Sequence, residues 1–364
     1  MQIKDVTNYI EKLAPLSYAE NFDNVGLLIG KYTTTVTGIL VTLDTLETTI
    51  DQAIAENCNL IVSFHPIVFS GLKKINGNNY VERVVLKAIQ NNIAIYATHT
   101  ALDNVNNGVS AKMCEVLGLQ NNKILIPKKG IIKKLTTYVP LANANNLRTK
   151  LFEAGAGSIG NYNNCSFTTK GTGSYRGNEK SNPAVGKKGE LIFSEEACIS
   201  ITFNSYLEKA ILKTLFNTHP YEEVAYEIIT LENNNQNVGM GMIGDFETPM
   251  DEIDFLNFIK KTFKTACVRH SGLLNKKIQK VAVLGGSGSF AIQNAIKLNA
   301  DAYISADFKY HDFFKAEKKI LLADVGHYES EQFTKNLLID YLRKKFSTFA
   351  ITLSKKSTNP IHYT

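Results

Sequence analysis

The sequence predicts an α/β protein: a parallel-sheet core assembled from both chain ends, interrupted by an inserted α+β domain. Three observations carry the prediction. Short, near-continuous apolar runs alternate with helical segments through residues 1–127. The same alternation returns after about residue 277. Between them, over residues 130–235, the order of elements changes around a glycine-rich middle.

In the first segment, Val6, Ile10 and Leu13 recur at helical spacing, and Gly38–Asp44 (GILVTLD) is an apolar run of strand length. Leu46–Asn57 is again helical, Asn59–Phe64 (NLIVSF) reads as a strand, Tyr80–Asn91 as a helix and Ile93–Ala97 (IAIYA) as a strand. Strands apolar on both faces belong to parallel sheets covered by helices on each side, and the intervening helices are the crossovers such sheets need. In the last segment Lys280–Leu284, Ala302–Ser305 and Ile320–Ala323 read as strands, with helices at 288–299, 308–318 and 329–346. The core should therefore comprise residues 1–127 and 238–364.

The insert, 130–235, runs strand (LTTYVP, from Leu135), helix (Ala144–Ala154), a Gly/Asn/Ser-rich stretch over Gly155–Gly189 with two short strands at most, strand (Ala197–Phe203), helix (Tyr206–Phe216) and strand (Val224–Leu231). A β-α-β-β-α-β order describes a small ferredoxin-like module. Asn233–Asn237 (NNNQN) reads as the polar linker that closes it.

Composition excludes several classes. No apolar run approaches the ~20 residues of a membrane span, and Met1-Gln2-Ile3-Lys4-Asp5 opens a helix and not a secretory signal. Five scattered cysteines without C-x-x-C spacing argue against a zinc finger or disulfide framework and for reduced thiols in the cytoplasm. The net charge of +6 includes basic clusters at Lys128–Lys134, Lys276–Lys280 and Arg343–Lys345. None is interleaved with aromatics as base stacking needs, so nucleic acid is not the expected partner.

The chemistry gathers at strand ends. His65 follows NLIVSF, and His99 and Asp103 follow IAIYA in ATHTALDN. Open parallel sheets build their ligand sites at such carboxyl ends. His327 and Glu331 follow ILLAD and a turn at Gly326, and their spacing of four puts both on one helix face. Imidazole and carboxylate together suit zinc, iron, manganese or nickel better than calcium or magnesium. Each piece has an ordinary alternative: a lone histidine after a strand, a polar i, i+4 pair with Glu329 as competitor, or Asp103 as the N-cap of a helix starting near Gly108.

Ala19–Gly30 (AENFDNVGLLIG), Ile61–Phe69 (IVSFHPIVF), Ala97–Gly108 (ATHTALDNVNNG), Gly157–Gly173 (GSIGNYNNCSFTTKGTG), His219–Ala225 (HPYEEVA), Ala282–Phe290 (AVLGGSGSF), Ser305–His311 (SADFKYH) and Asp324–Glu331 (DVGHYESE) together resemble the Nif-three-like dinuclear-metal proteins, many of them called GTP cyclohydrolase 1 type 2 homologues. The match runs through essentially the whole chain in the same order. The resemblance implies Rossmann-like halves with an inserted domain, a toroidal homohexamer and two metal ions inside the ring. By motif, it assigns His65, Asp103, His327 and Glu331 as ligands, with Glu331 bridging. Phe64 stands where many members carry the first of two histidines, so one or two metals per subunit are expected, and His99 becomes a candidate to fill the vacancy or carry a proton.

Two further segments have ordinary explanations beside functional ones. Gly285-Gly286-Ser287-Gly288-Ser289 follows a strand and opens a helix, a geometry that offers N–H groups to phosphate, yet it lacks the P-loop lysine and also reads as a tight turn. His219–Glu223 (HPYEE) reads as a helix end before an X-Pro extended stretch, or as a wall of the ring's cavity. Metal-assisted hydrolysis of a nucleotide or related phosphorylated compound is the expected activity; the alternative is a non-catalytic ring that stores or delivers metal or binds a protein or nucleic-acid partner. Catalytic residues beyond the ligands are not legible.

Overall fold

The computed structural model describes residues 1–364, which separate into two compact units: Met1–Pro127 with Asn237–Thr364, and Lys128–Gln236. Along the chain the strands are β1 (Gly26–Ile29), β2 (Ile39–Thr42), β3 (Leu60–Ser63), β4 (Ala94–Ala97) and β5 (Gln120–Lys128), then β6 (Ile132–Pro140), β7 (Phe167–Arg176), β8 (Leu191–Asn204) and β9 (Tyr226–Leu231). They continue with β10 (Asn235–Asp251), β11 (Arg269–His270), β12 (Lys277–Ser287), β13 (Ala302–Ala306), β14 (Leu321–Asp324) and β15 (Ile351–Leu353).

The first unit holds two sheets. One has the order β1-β4-β3-β2-β15. Its centre is parallel, with Ile39 opposite Leu60 and Leu60 opposite Ala94, and every residue of β2, β3 and β4 is buried. Leu40, Ile61 and Ile95 pack with Ile50, Val84 and Ala88 of the crossover helices on one side. Burying each such side chain contributes about 1.5–3 kcal/mol. The helix Tyr80–Gln90 starts where Asn79 accepts from the Glu82 N–H at 3.0 Å, replacing one of the hydrogen bonds a helix end lacks.

The other sheet has the order β11-β14-β13-β12-β10-β5. Here β12, β13 and β14 run parallel, with Val281 opposite Ala302 and Ala302 opposite Leu321. The core is therefore a mixed α/β arrangement in which two parallel centres are flanked by antiparallel strands: β1 on β4, β10 on β12 and β11 on β14, with β5 beyond β10. The wholly parallel expectation missed these strands because β1 and β11 have only four and two residues, and glycines break the apolar stretch of β10.

Three other readings are corrected. Residues 308–318 were expected as a helix but form only a 3-10 segment, Tyr310–Ala316, followed by left-handed Glu317 and Lys318. The last helix, expected as one piece over 329–346, divides into His327–Glu331 and Thr334–Lys345. The NNNQN linker is shorter than expected, since β10 begins at Asn235.

The second unit, Lys128–Gln236, runs strand-helix-strand-strand-helix-strand, with all pairings antiparallel in the order β7-β8-β6-β9. Its helices, Leu141–Glu153 and Glu208–Thr218, cover one face. Leu147, Leu151, Ile211 and Leu215 meet Leu135, Val139, Ile199 and Ile201 there. The glycine-rich stretch contributes one ten-residue strand, longer than the short pieces expected.

Candidate metal centre

Each parallel centre in the first unit delivers polar side chains at its carboxyl end. On the first sheet these are Asp44 after β2, His65 after β3 and His99 after β4; on the second, Ser287 ends β12, Asp307 follows β13 and His327 follows β14. Gly326, at φ +95°, makes the turn into the helix His327–Glu331, and the i, i+4 spacing returns the Glu331 carboxylate beside the His327 ring.

Three of the four expected ligands converge. The donor atoms of His65, His327 and Glu331 all lie within 4.8 Å of one another. Glu331 Oε2 stands 3.1 Å from His65 Nε2 and 3.2 Å from His327 Nε2. Glu331 is 4% exposed, and its Oε2 has no hydrogen bond of proper geometry despite these approaches. The other nitrogen of each ring is fixed by an aspartate: His65 Nδ1 is 2.7 Å from Asp44 Oδ1, and His327 Nδ1 is 2.7 Å from Asp307 Oδ2. Asp44 also accepts from the Thr358 hydroxyl, and Asp307 from that of Ser287.

The ion pairs dominate the titration of the group. Burial disfavours a charged His65 ring, but the hydrogen bonds and charges of Asp44 and Glu331 outweigh it and raise its pKa to about 10. His327 is pushed up to about 11 against the same burial penalty by Asp307 and Glu331. Glu331, which burial alone would make harder to ionise, is held down to about 2 by His327 and His65.

Asp103 is not among the three. It ends the short helix His99–Asp103 and is half-buried, and it does not cap the helix that starts at Val109. Its carboxyl is nevertheless coupled to the group: burial and the Glu331 charge raise its pKa well above the usual range, while His65 and His327 pull the other way.

His99 also stands apart from the three donors, although its ring lies edge-on to His65 with centroids 5.4 Å apart. Its Nδ1 is 2.7 Å from Asp23 Oδ1, and the backbone N–H of Thr100 donates to Asp23 Oδ2 at 3.0 Å. That network holds His99 at φ +29°, a backbone conformation unfavourable for a residue with a side chain. Phe64, wholly buried, packs against both imidazoles with centroids 4.9 Å from His65 and 5.6 Å from His99. A phenyl ring thus occupies the place of the expected first histidine.

The GGSGS segment serves this centre as a wall. A Cβ on Gly286 would come within 2.4 Å of Glu331 Oε1, and one on Gly285 within 3.2 Å of Glu331 Cγ. Gly286 N donates to Ser330 Oγ at 2.9 Å, and its carbonyl accepts from Ser305 Oγ at 3.0 Å. Its polar groups are spent internally. A cavity of about 450 Å³ opens beside the centre, lined by Asp44, His65, Leu46, Tyr80 and Thr358 among others. HPYEE lies in the second unit and closes the helix Glu208–Thr218; the N–H of Tyr221 donates to His219 Nδ1 at 3.1 Å, and His219 Nε2 is 2.9 Å from the Tyr138 carbonyl.

Asp44 and Asp307 are the ring-orienting side chains that sequence reasoning did not single out, although Asp44 closes GILVTLD and Asp307 follows AYISA. The Asp23-Asn24 pair reads in the sequence as turn chemistry, whereas the structure sets Asp23 on His99 Nδ1. No helix of the structure is long and apolar enough to cross a membrane.

Comparison with known proteins agrees with the motif reading. The family described as Duf34/NIF3 (NGG1p interacting factor 3) matches residues 1–360. A protein of Bacillus subtilis named GTP cyclohydrolase 1 type 2 homolog is 34% identical, covering 99% of this chain and 98% of its own. Among solved structures, a Bacillus cereus protein related to NIF3 superposes with a TM-score of 0.87 at 33% identity, covering 100% of this chain and 99% of its own. The Staphylococcus aureus protein SA1388 does so with a TM-score of 0.80 at 29% identity, covering 100% and 99%. The chain belongs to the Duf34/NIF3 family.

Proposed function

We propose that this Duf34/NIF3 member holds a divalent transition metal on His65, His327 and Glu331, with Asp103 as the adjoining donor, and acts as a metal-dependent hydrolase of a nucleotide-like substrate. The observation that carries the metal reading is Glu331 Oε2: a buried carboxylate oxygen without a proper hydrogen bond, flanked by two Nε2 atoms at 3.1 and 3.2 Å. Donors about 2.0–2.2 Å from one ion, at angles near 90–100°, stand about 3 Å apart, so the spacing fits a shared cation. The donor set also fits. Each ring has its Nδ1 on an aspartate, the arrangement that fixes a ligating imidazole and raises its basicity.

Two imidazoles and one carboxylate leave coordination positions open, and a metal held there would lower the pKa of a water toward ~7 and polarise a carbonyl or phosphoryl oxygen. The chain's own residues orient and enclose: Asp44 and Asp307 aim the rings, Gly285 and Gly286 give Glu331 its room, and the adjacent 450 Å³ cavity offers space for a reactant. Zinc, iron, manganese and nickel suit the donors. GTP is the first substrate to test, because relatives carry a GTP cyclohydrolase name.

Phe64 favours a second reading. Its phenyl removes a donor from the site's edge, which suits a ring-forming scaffold that stores or delivers one metal without turnover. In either reading we take the assembly to be a homohexamer, which rests on the family resemblance alone; we take the core to be two Rossmann-like halves and the insert to be ferredoxin-like, a reading the sheet orders support. Native mass spectrometry with metal analysis should show six chains and at least one ion per chain, lost in Glu331→Gln. Metal-loaded protein should then hydrolyse GTP, another nucleotide or a phosphodiester, and Glu331→Gln should abolish this. Full metal content in Glu331→Gln would refute the site; full activity in it would refute the enzyme reading.

A further inference from the structure

The larger cavity, about 640 Å³, is lined entirely by residues of the unit Lys128–Gln236. That volume lies in the range of about 300–1,000 Å³ typical of small-molecule sites. It stands over the sheet face that the two helices leave uncovered. Gly171 pairs opposite Glu196, and Cys198 opposite Tyr138. Ala197, between Glu196 and Cys198, is buried in the helix-covered core, so strand alternation turns its neighbours to the open face. Gly171 leaves the floor bare, with nothing within 4 Å of where a Cβ would stand.

One buried charged side chain occupies this floor; Glu222 and Glu223, also at the cavity, are exposed. Glu196 is 8% exposed and accepts a hydrogen bond of 2.7 Å from the Tyr221 hydroxyl on Oε1, but it forms no salt bridge. The nearby His219 does not supply the charge: burial lowers its pKa, and its Nδ1 accepts from the Tyr221 N–H, which leaves Nε2 as the donor to Tyr138. Lys170 and Arg176 border the cavity, but Lys170 pairs opposite Ala197, and the same parity turns both toward the helix side. A buried carboxylate without a counter-charge is costly. Around it stand Tyr138, Tyr175 and Tyr221, the last two edge-to-face at 5.8 Å. Tyrosine ring faces attract cations.

We propose that this cavity is a binding site for a small organic ammonium ion, whose charge pairs with Glu196 and whose carbon skeleton lies against the tyrosine rings. The site stands independently of the metal reading, since no residue is shared. The test uses the full-length protein, whose 16 tyrosines and absence of tryptophan make ring emission a direct probe. Calorimetry and tyrosine fluorescence are followed during titration with n-butylamine, spermidine and choline, and with uncharged 1-butanol.

The expected result is saturable binding of at least one ammonium compound, one per chain, and none of 1-butanol. Glu196→Gln, which can still accept from Tyr221, should weaken it about tenfold or more. Gly171→Leu, which fills the floor beside Glu196 while keeping the carboxylate in the chain, should abolish it with metal content unchanged. If Glu196→Gln does not fold, Gly171→Leu decides. No saturation by any of the three up to about 10 mM, equal binding of 1-butanol, or unchanged affinity in the variants overturns the proposal.

Discussion

Metal uptake by this chain should release protons, and their number follows from the geometry of the centre. In the metal-free protein the two imidazoles hold their protons unusually tightly, to about 10 for His65 and about 11 for His327, because each lies between an aspartate and Glu331. At pH 8 both rings are therefore protonated almost completely. Glu331, at about 2, has no proton to lose. Binding a cation through both Nε2 atoms must displace about two protons, since only the neutral ring coordinates. Each unit of rising pH should then tighten apparent affinity about 100-fold, or about 2.7 kcal/mol at 1.36 kcal/mol per proton and unit. Burial and the Glu331 charge shift the Asp103 carboxyl upward as well, so any proton it carries adds to the count if it joins the ligands. The measurement is calorimetric titration with chelator-buffered zinc or manganese at pH 7 and 8, in buffers of differing ionisation enthalpy. Release of less than about half a proton per ion, or an affinity flat with pH, would refute the paired-imidazole account.

The same shifts govern the stability of the metal-free fold. The raised histidines stabilise fully below pH 6.5 and lose that contribution as pH rises through about 10 and 11; lowered Glu331 stabilises above 4.5 and loses its share as pH falls toward 2. Thermal melting of chelator-treated protein should thus fall on the alkaline side, more steeply than in Glu331→Gln; parallel profiles would count against the pairing. Gly286→Ala should cost about 1–2 kcal/mol for its left-handed backbone and also lose metal, because the new Cβ strikes Glu331 Oε1. Gly130→Ala, at φ +69° with open space around it, should show the backbone cost alone and keep its metal. Equal metal content in the two variants would contradict the cradle. His99→Ala should leave metal stoichiometry unchanged, since its donor lies outside the group of three, while removing a partner from buried Asp23 and costing about 1–3 kcal/mol in denaturant melts. A drop in bound metal would make His99 a ligand.

What the sequence discloses depends on how local each cause is. β2, β3, β4, β12, β13 and β14 are legible as buried parallel strands because burial on both faces makes their apolar runs continuous. β1 (GLLI) and β11 (RH) are edge strands of four and two residues, too short to show a strand's period. His65, His327 and Glu331 stand out because they follow such runs, and the i, i+4 spacing is a property of the helix alone. The aspartates that orient the rings do not. Asp44 acts on a histidine 21 residues away, Asp307 on one 20 away and Asp23 on one 76 away. Each contact is made only once two strands lie side by side, so the spacing in sequence carries no trace of it.

Phe64 tests this account most severely. Three histidines each have an aspartate on Nδ1, which leaves three Nε2 atoms for the centre, yet only those of His65 and His327 meet at Glu331. Phe64 packs against both His65 and His99, so a donor in its place would lie beside both rings. Replacing it by histidine should raise bound metal from one toward two per chain. The substitution places a polar ring where a phenyl is wholly buried, which costs about 1–3 kcal/mol in the metal-free state. A metal bound at 100 times its Kd returns about 2.7 kcal/mol. Phe64→His should therefore melt below the native chain after chelation and recover most of the difference when saturated. Mass spectrometry under native conditions counts the ions directly. One metal per chain in both proteins, with no recovery on saturation, would mean that the second position is closed by more than the phenyl ring.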